Sequence, residues 1–457
     1  MKRHLLAAAL CVCAALFLPA AVAAADFSPG SAGSGDPYFP LAGNGGYDVA
    51  HYGLSLSYQP KGNLLTGKAT IRATATQDLS RFDLDLHGFA VTRVLVDGVP
   101  ASFARDGQEL MITPAAGIVD GAPFVVTVRY TGVPEVVVDT DLSAEGWIPT
   151  DDGAFVAGEP GGSPAWYTCN DDPEDKATYD FAVTVPQGLT VMANGVLLWH
   201  KTADGRTTWR WRETDPMSSY LATVTLGRFD LTQYQVDGVP TYVAVDPTLP
   251  KGKGLGKLPA IIRFFSGLYG EYPFTAAGAI VDRAKTVGYA LECQTKPIFS
   301  SMPDESTLVH ETAHMWYGDS VTLKDWPDIW LNEGFATFSE WMWTEKQGRK
   351  SAHQQFKANY SSSADPGWTW GIAIGDPGPA DLFAWPVYVR GAMTLQALRE
   401  KIGDAAFFGV MREWAQQHRY GTVTTPEFIA LAEARSGMDL DAFFQVWLYQ
   451  PGKPLSW

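Results

Sequence analysis

Leu308-Val309-His310-Glu311-Thr312-Ala313-His314-Met315-Trp316 is the stretch on which the reading turns. Its apolar residues set the two histidines in a helical pattern, and residues four apart lie one turn apart on the same helix face. The imidazoles of His310 and His314 therefore reach one divalent ion, at about 2.0–2.1 Å if that ion is zinc. Glu311 then stands beside the ion, placed to take a proton from water. A hydrolytic zinc needs a third protein ligand, and Glu333 in Trp330-Leu331-Asn332-Glu333-Gly334-Phe335-Ala336 supplies a candidate. Eighteen residues, 315 to 332, separate His314 from Glu333. Gly318 ends the first helix in this reading, residues 321–328 form the return, and Asn332 caps the second helix, giving an antiparallel pair. Two histidines and one carboxylate leave a fourth position for water, as in hydrolytic rather than structural zinc centres. The softness of these donors alone leaves other divalent metals open.

Outward from this segment the chain divides in two. Residues 47–240 alternate apolar and polar with period two, as in Val49-Ala50-His51-Tyr52-Gly53-Leu54-Ser55-Leu56 and Phe181-Ala182-Val183-Thr184-Val185. Asp97-Gly98 and Asp237-Gly238 each follow an apolar run and signal tight hairpin turns. A Pro/Gly/Lys stretch at 246–254 suits a boundary. Beyond it Ile261, Ile262, Phe265 and Leu268 share one helix face, Ala279-Ile280-Val281 reads as a strand, and Thr425-Pro426 as an N-cap with a first-turn proline. The expectation is a multi-domain α+β protein: an antiparallel β domain over 26–245 and a mainly helical domain over 246–457.

Composition agrees with that division. At 457 residues, with 46% apolar and 12% aromatic content, the chain supports more than one core. Residues 1–25 read as an export signal: a basic start at Lys2, Arg3 and His4, an apolar run over Leu5–Leu18, and small-residue cleavage sites at Ala21-Val22-Ala23 and Ala23-Ala24-Ala25. The run is too short for a stable membrane anchor, so the expected product is secreted. Losing Lys2 and Arg3 moves the formal charge from -16 to -18 (-16 - 2), which argues against nucleic acid and anionic membranes as partners. Only Cys169 and Cys293 remain in the mature chain, too few for a disulfide-built fold. Nothing in the pattern speaks to oligomeric state.

With these residues in hand, the chain resembles the aminopeptidase N family of zinc metallopeptidases, a gluzincin group whose signature is His-Glu-x-x-His followed by Trp-Leu-Asn-Glu-Gly. Cys169-Asn170-Asp171-Asp172-Pro173, Lys176-Ala177-Thr178-Tyr179 and Met217-Ser218-Ser219-Tyr220-Leu221 are similar to further family blocks, so the likeness covers roughly residues 45 to 450. It implies an N-terminal β saddle or sandwich packed on a thermolysin-like catalytic domain with one zinc per chain. The resemblance implies removal of N-terminal residues from peptides with a free amino end. Tyr289-Ala290-Leu291-Glu292-Cys293 stands where the family carries Gly-Ala-Met-Glu-Asn, which implies substrate contacts from Ala290 and Glu292; Glu159 falls where a second amine-contacting residue is expected. Tyr388, in Tyr388-Val389-Arg390-Gly391-Ala392, matches the tyrosine that stabilises the oxyanion. Cys293 and Tyr289 depart from the family pattern, which bears on the shape of the first substrate pocket. Set beside the longer members, which carry a further helical-repeat domain, the resemblance leads to the expectation of a short form lacking that domain, with a more open cleft. An endopeptidase, a hydrolase of small non-peptide substrates such as an epoxide, and a non-catalytic peptide-binding module are the alternatives.

Overall fold

The computed structural model describes residues 26–138, 143–250, 252, 254–362 and 366–455; the expected export signal at 1–25 lies outside them. In the first half the period-two pattern becomes an eight-stranded sheet. Its strands run, in spatial order, Val196–Ala203, Arg206–Met217, Ala177–Pro186, Tyr47–Gln59, Leu64–Ala75, Pro123–Gly132, Ala90–Val96 and Val99–Pro100. In Tyr47–Gln59 the buried set shifts from Tyr47 and Val49 to Tyr52, Leu54, Leu56 and Tyr58, because a bulge between Val49 and His51 inserts one residue and changes the phase. A smaller five-stranded sheet includes Ala144–Pro149 and Ala154–Ala157. The hairpin turns form as read: Asp97 and Asp237 take positive φ (50° and 51°), each followed by a positive-φ glycine.

The second half is mainly helical, as expected, but its sheet begins earlier than residue 246. The hairpin Asp230–Val236 and Val239–Val245 pairs in parallel with Ala277–Val281, which continues to Ile298–Phe299 and the edge strand Ala290–Leu291. The sheet thus crosses the 245/246 point, since strand pairing follows hydrogen-bonding partners rather than the composition of the linker.

Two capping assignments are corrected. Helix Thr425–Ser436 is capped by Thr424, which forms a reciprocal capping box with Glu427; Thr425 is buried and its hydroxyl joins Asp328 and Trp330. Asn332 does not cap Trp330–Lys346. It lies inside that helix, buried, with its amide 3.5 Å from the Tyr220 hydroxyl. Gly318 does serve the turn after the histidines: its φ of 130° suits glycine, and a Cβ there would lie 2.8 Å from His314 Nδ1.

Helices Trp330–Lys346 and Trp385–Ile402 cross where two glycines meet. A Cβ on Gly391 would lie 2.6 Å from Gly334 Cα. This backbone approach sets Glu333, next to Gly334, close to Tyr388, one turn before Gly391. Gly391→Ala is expected to destabilise the protein by about 1–3 kcal/mol through overpacking, read as a lower thermal unfolding midpoint; an unchanged midpoint would show that the helices separate freely.

The first domain also braces the second. Lys176 Nζ donates to the carbonyls of Asp319 (2.8 Å) and Ser320 (3.2 Å), and Tyr220 Oη to that of Gly318 (3.1 Å). The sequence blocks around 169–179 and 217–221 therefore hold the turn that follows His314.

Candidate active site

His310 sits within helix Glu305–Ala313 and His314 at its C-cap. The helix starts cleanly because Asp304 accepts from the Thr307 amide at 2.9 Å. Opposite, the first turn of Trp330–Lys346 carries Glu333. Its Oε2 lies 2.9 Å from His310 Nε2 and 3.5 Å from His314 Nε2. All three side chains thus converge as the spacing predicts, within 4.8 Å of one another.

The far side of each imidazole fixes its tautomer. His310 Nδ1 lies 2.8 Å from Glu340 Oε1, and His314 Nδ1 3.0 Å from the Tyr317 carbonyl. With both Nδ1 atoms donating, both Nε2 atoms face the shared centre and Glu333, where on losing their protons they would offer lone pairs to a metal, with the outer support that zinc-bound histidines require. Glu340 escaped the sequence reading. Its signal was its position seven residues, two helical turns, after Glu333. Two imidazole nitrogens, one carboxylate oxygen and a hydrogen-bonded second layer fit zinc with a position left open for hydrolysis.

These residues line a cleft of about 750 Å³ with Glu159, Ala290, Glu292, Glu311, Tyr388 and an aromatic wall of Trp341, Phe383 and Trp385. Glu159, Glu292, Glu311, Glu333 and Glu340 all face it, and among the described residues no Lys or Arg lines it. Such a cavity favours cations. Glu292 is 2% exposed, with Oε1 3.9 Å from His314 Nδ1, and among the described residues that oxygen has no hydrogen-bond partner. Glu159 also buries an unpartnered oxygen and lies close to Glu292 and Glu333. Burial, then the neighbouring glutamates, raises Glu159 well above the carboxylate range. Burial pushes Glu311 up to about 8 against the pull of the two histidines, and a bound dication would draw it back. Tyr388 keeps its proton, because burial and the surrounding carboxylates raise it; its ring stacks on His310 with centroids 5.8 Å apart.

Ala290 occupies the edge strand leading to Glu292, paired with Phe299. Tyr289, where the family pattern has glycine, donates to the Ala144 carbonyl at 2.6 Å and so ties this loop to the first domain. Cys169 and Cys293 are separate, buried free thiols.

The fold and this donor set are those of a two-domain chain with a candidate zinc centre open for hydrolytic chemistry. The Peptidase M1 N-terminal domain model matches residues 49–221 and the Peptidase family M1 domain model residues 290–447, so the chain belongs to peptidase family M1. It is similar to an M1 zinc metallopeptidase from Deinococcus radiodurans: 28% identity, TM-score 0.86, covering 92% of this chain and 98% of that one. A mutant of that protein bound to a Tyr-Ser-Ala substrate matches with TM-score 0.85. Among curated relatives, aminopeptidase N of Streptomyces lividans is 27% identical over 62% of this chain and 36% of its own length. A probable aminopeptidase 2 of Sulfurisphaera tokodaii is 25% identical over 74% and 47%. The chain thus spans less than half the length of these two relatives.

Proposed function

We propose that the protein is a secreted zinc aminopeptidase that releases N-terminal residues from peptides. The observation that carries this reading is the buried, unpartnered Glu292 carboxylate oxygen beside the metal-ligand cluster, with Glu159 next to it. An unpaired buried carboxylate is costly, and a substrate ammonium group removes that cost while fixing which peptide bond lies at the ligand cluster. A capped peptide offers no such partner.

His310, His314 and Glu333 would hold the zinc, which when bound supplies Lewis acidity to polarise the scissile carbonyl and acidify water. Glu292 and Glu159 bind the amino end, and Ala290 lines the path of the first residue. Glu311 takes the proton of the attacking water and delivers it to the departing amine nitrogen. Tyr388 donates its O–H to the oxygen that gains charge. Phe383 and the exposed Trp385 offer an apolar surface on the other side of the cleft.

An amino-acid anilide and its N-acetylated form, assayed with and without a chelator and added zinc, test this directly. Turnover of the free amine alone, lost to chelator and restored by zinc, is expected; equal turnover of both forms would sink the assignment. Assaying medium and cell lysate separately tests export, and activity confined to the lysate would contradict it.

A further inference from the structure

The eight-stranded sheet has two unlike faces. Along Tyr47–Gln59, buried Tyr52, Leu54, Leu56 and Tyr58 alternate with half-buried His51, Gly53, Ser55 and Ser57. Strand register carries this outward side across the sheet. Ser55 lies opposite Lys68 and Ala182, Lys68 opposite Arg129, and Arg129 opposite Arg93. In the other direction Ala182 lies opposite Arg210, and Arg210 opposite Trp199 on the edge strand. One row therefore runs from Trp199 to Arg93, about 29 Å at the usual ~4.8 Å strand spacing. The adjacent row is hydroxylic: Thr208, Thr184, Ser57, Thr66 and Thr131. A shallow depression of about 610 Å³ lies over the middle, lined in part by Ser55, Ser57, Lys68, Arg129 and Thr184.

The charge on this face runs against the rest of the chain, in which 50 acidic residues oppose 34 Lys and Arg. Asp180 is engaged by Arg212 at 2.7 Å and Arg210 at 3.1 Å. Asp48 stands apart at the sheet's end, opposite Thr74. Among the described residues Lys68, Arg72, Arg93 and Arg129 pair with no carboxylate. Trp199 is 50% exposed at the end of the row.

We propose that this face binds an extended anionic glycan. Lysine and arginine at successive strand spacings meet its acidic groups, the intervening serine and threonine hydroxyls pair with sugar hydroxyls, and Trp199 offers a flat apolar surface to a sugar ring. A stiff DNA duplex or a membrane would extend past the patch onto a chain with a net excess of acidic residues, and among the described residues of the row Trp199 is the single large exposed apolar side chain, too little to anchor in lipid. Single-stranded nucleic acid needs a series of aromatic platforms, where this row has one.

Heparin, dextran, duplex DNA and phosphatidylglycerol vesicles are the probes, with binding to the full chain measured across salt. Heparin alone is expected to bind, its affinity falling on the order of a hundredfold between about 50 and 200 mM salt. The combined Lys68→Ser, Arg93→Ser and Arg129→Ser variant is expected to bind at least about tenfold more weakly, with a shallower salt dependence. Trp199→Ser weakens binding with the salt dependence unchanged. Anilide turnover and unfolding midpoint stay at the parent values in all these variants, and Glu311→Gln binds heparin as the parent does, which separates this site from the catalytic reading. No heparin binding by the parent, unchanged binding by the triple variant, or binding to DNA or vesicles as strong as to heparin would each overturn the proposal.

Discussion

Replacing Glu311 by Gln is expected to lower kcat on an amino-acid anilide by about 10²–10⁴ while the protein retains its zinc. Gln has the size of Glu and cannot carry the proton between water and the departing amine. The metal-ligand cluster of His310, His314 and Glu333 does not require this side chain, and both imidazoles keep their partners at Glu340 and the Tyr317 carbonyl. Steady-state kinetics alongside zinc stoichiometry separate the two effects. A variant that has lost its metal would say nothing about proton transfer, which is why both measurements are needed. A fully loaded variant with parental kcat would remove Glu311 from the mechanism.

Tyr388→Phe is expected to cost about 10²–10³ in kcat, with KM little changed, because the hydrogen bond it removes strengthens only as the carbonyl oxygen gains charge. Phe preserves the ring that stacks on His310, and Gly391 still meets Gly334, so the helix carrying the ring stays in place. The substitution then isolates the hydroxyl. A rise in KM with unchanged kcat would instead assign Tyr388 to ground-state binding.

Much of the site was legible because it is encoded within single helices. The four-residue spacing of His310 and His314, and the placement of Glu333 in the next apolar helix, depend only on helical periodicity. The strands were legible for the same local reason, and the hairpins at Asp97-Gly98 and Asp237-Gly238 because a two-residue turn requires positive φ. Cap positions were less legible. Thr424 and Thr425 both suit an N-cap, and burial of Thr425 against Asp328 and Trp330 leaves Thr424 in the role. Asn332 likewise suits a cap, but the helix begins two residues earlier and turns it inward.

The two kinds of secondary structure and the donor set follow from side-chain periodicity and ligand chemistry, both of which are local properties of the chain. The tertiary structure alone decided which distant residues share the cleft. Glu340 completes His310 across two helices, Glu159 reaches Glu292 from a different domain, and Lys176 holds the turn after His314. It also decided that the hairpin 230–245 joins the second sheet and that basic residues from four strands fall on one face. Such contacts depend on strand register and on how closely helices pack, as at Gly334 and Gly391, and neither is set by any local run of residues.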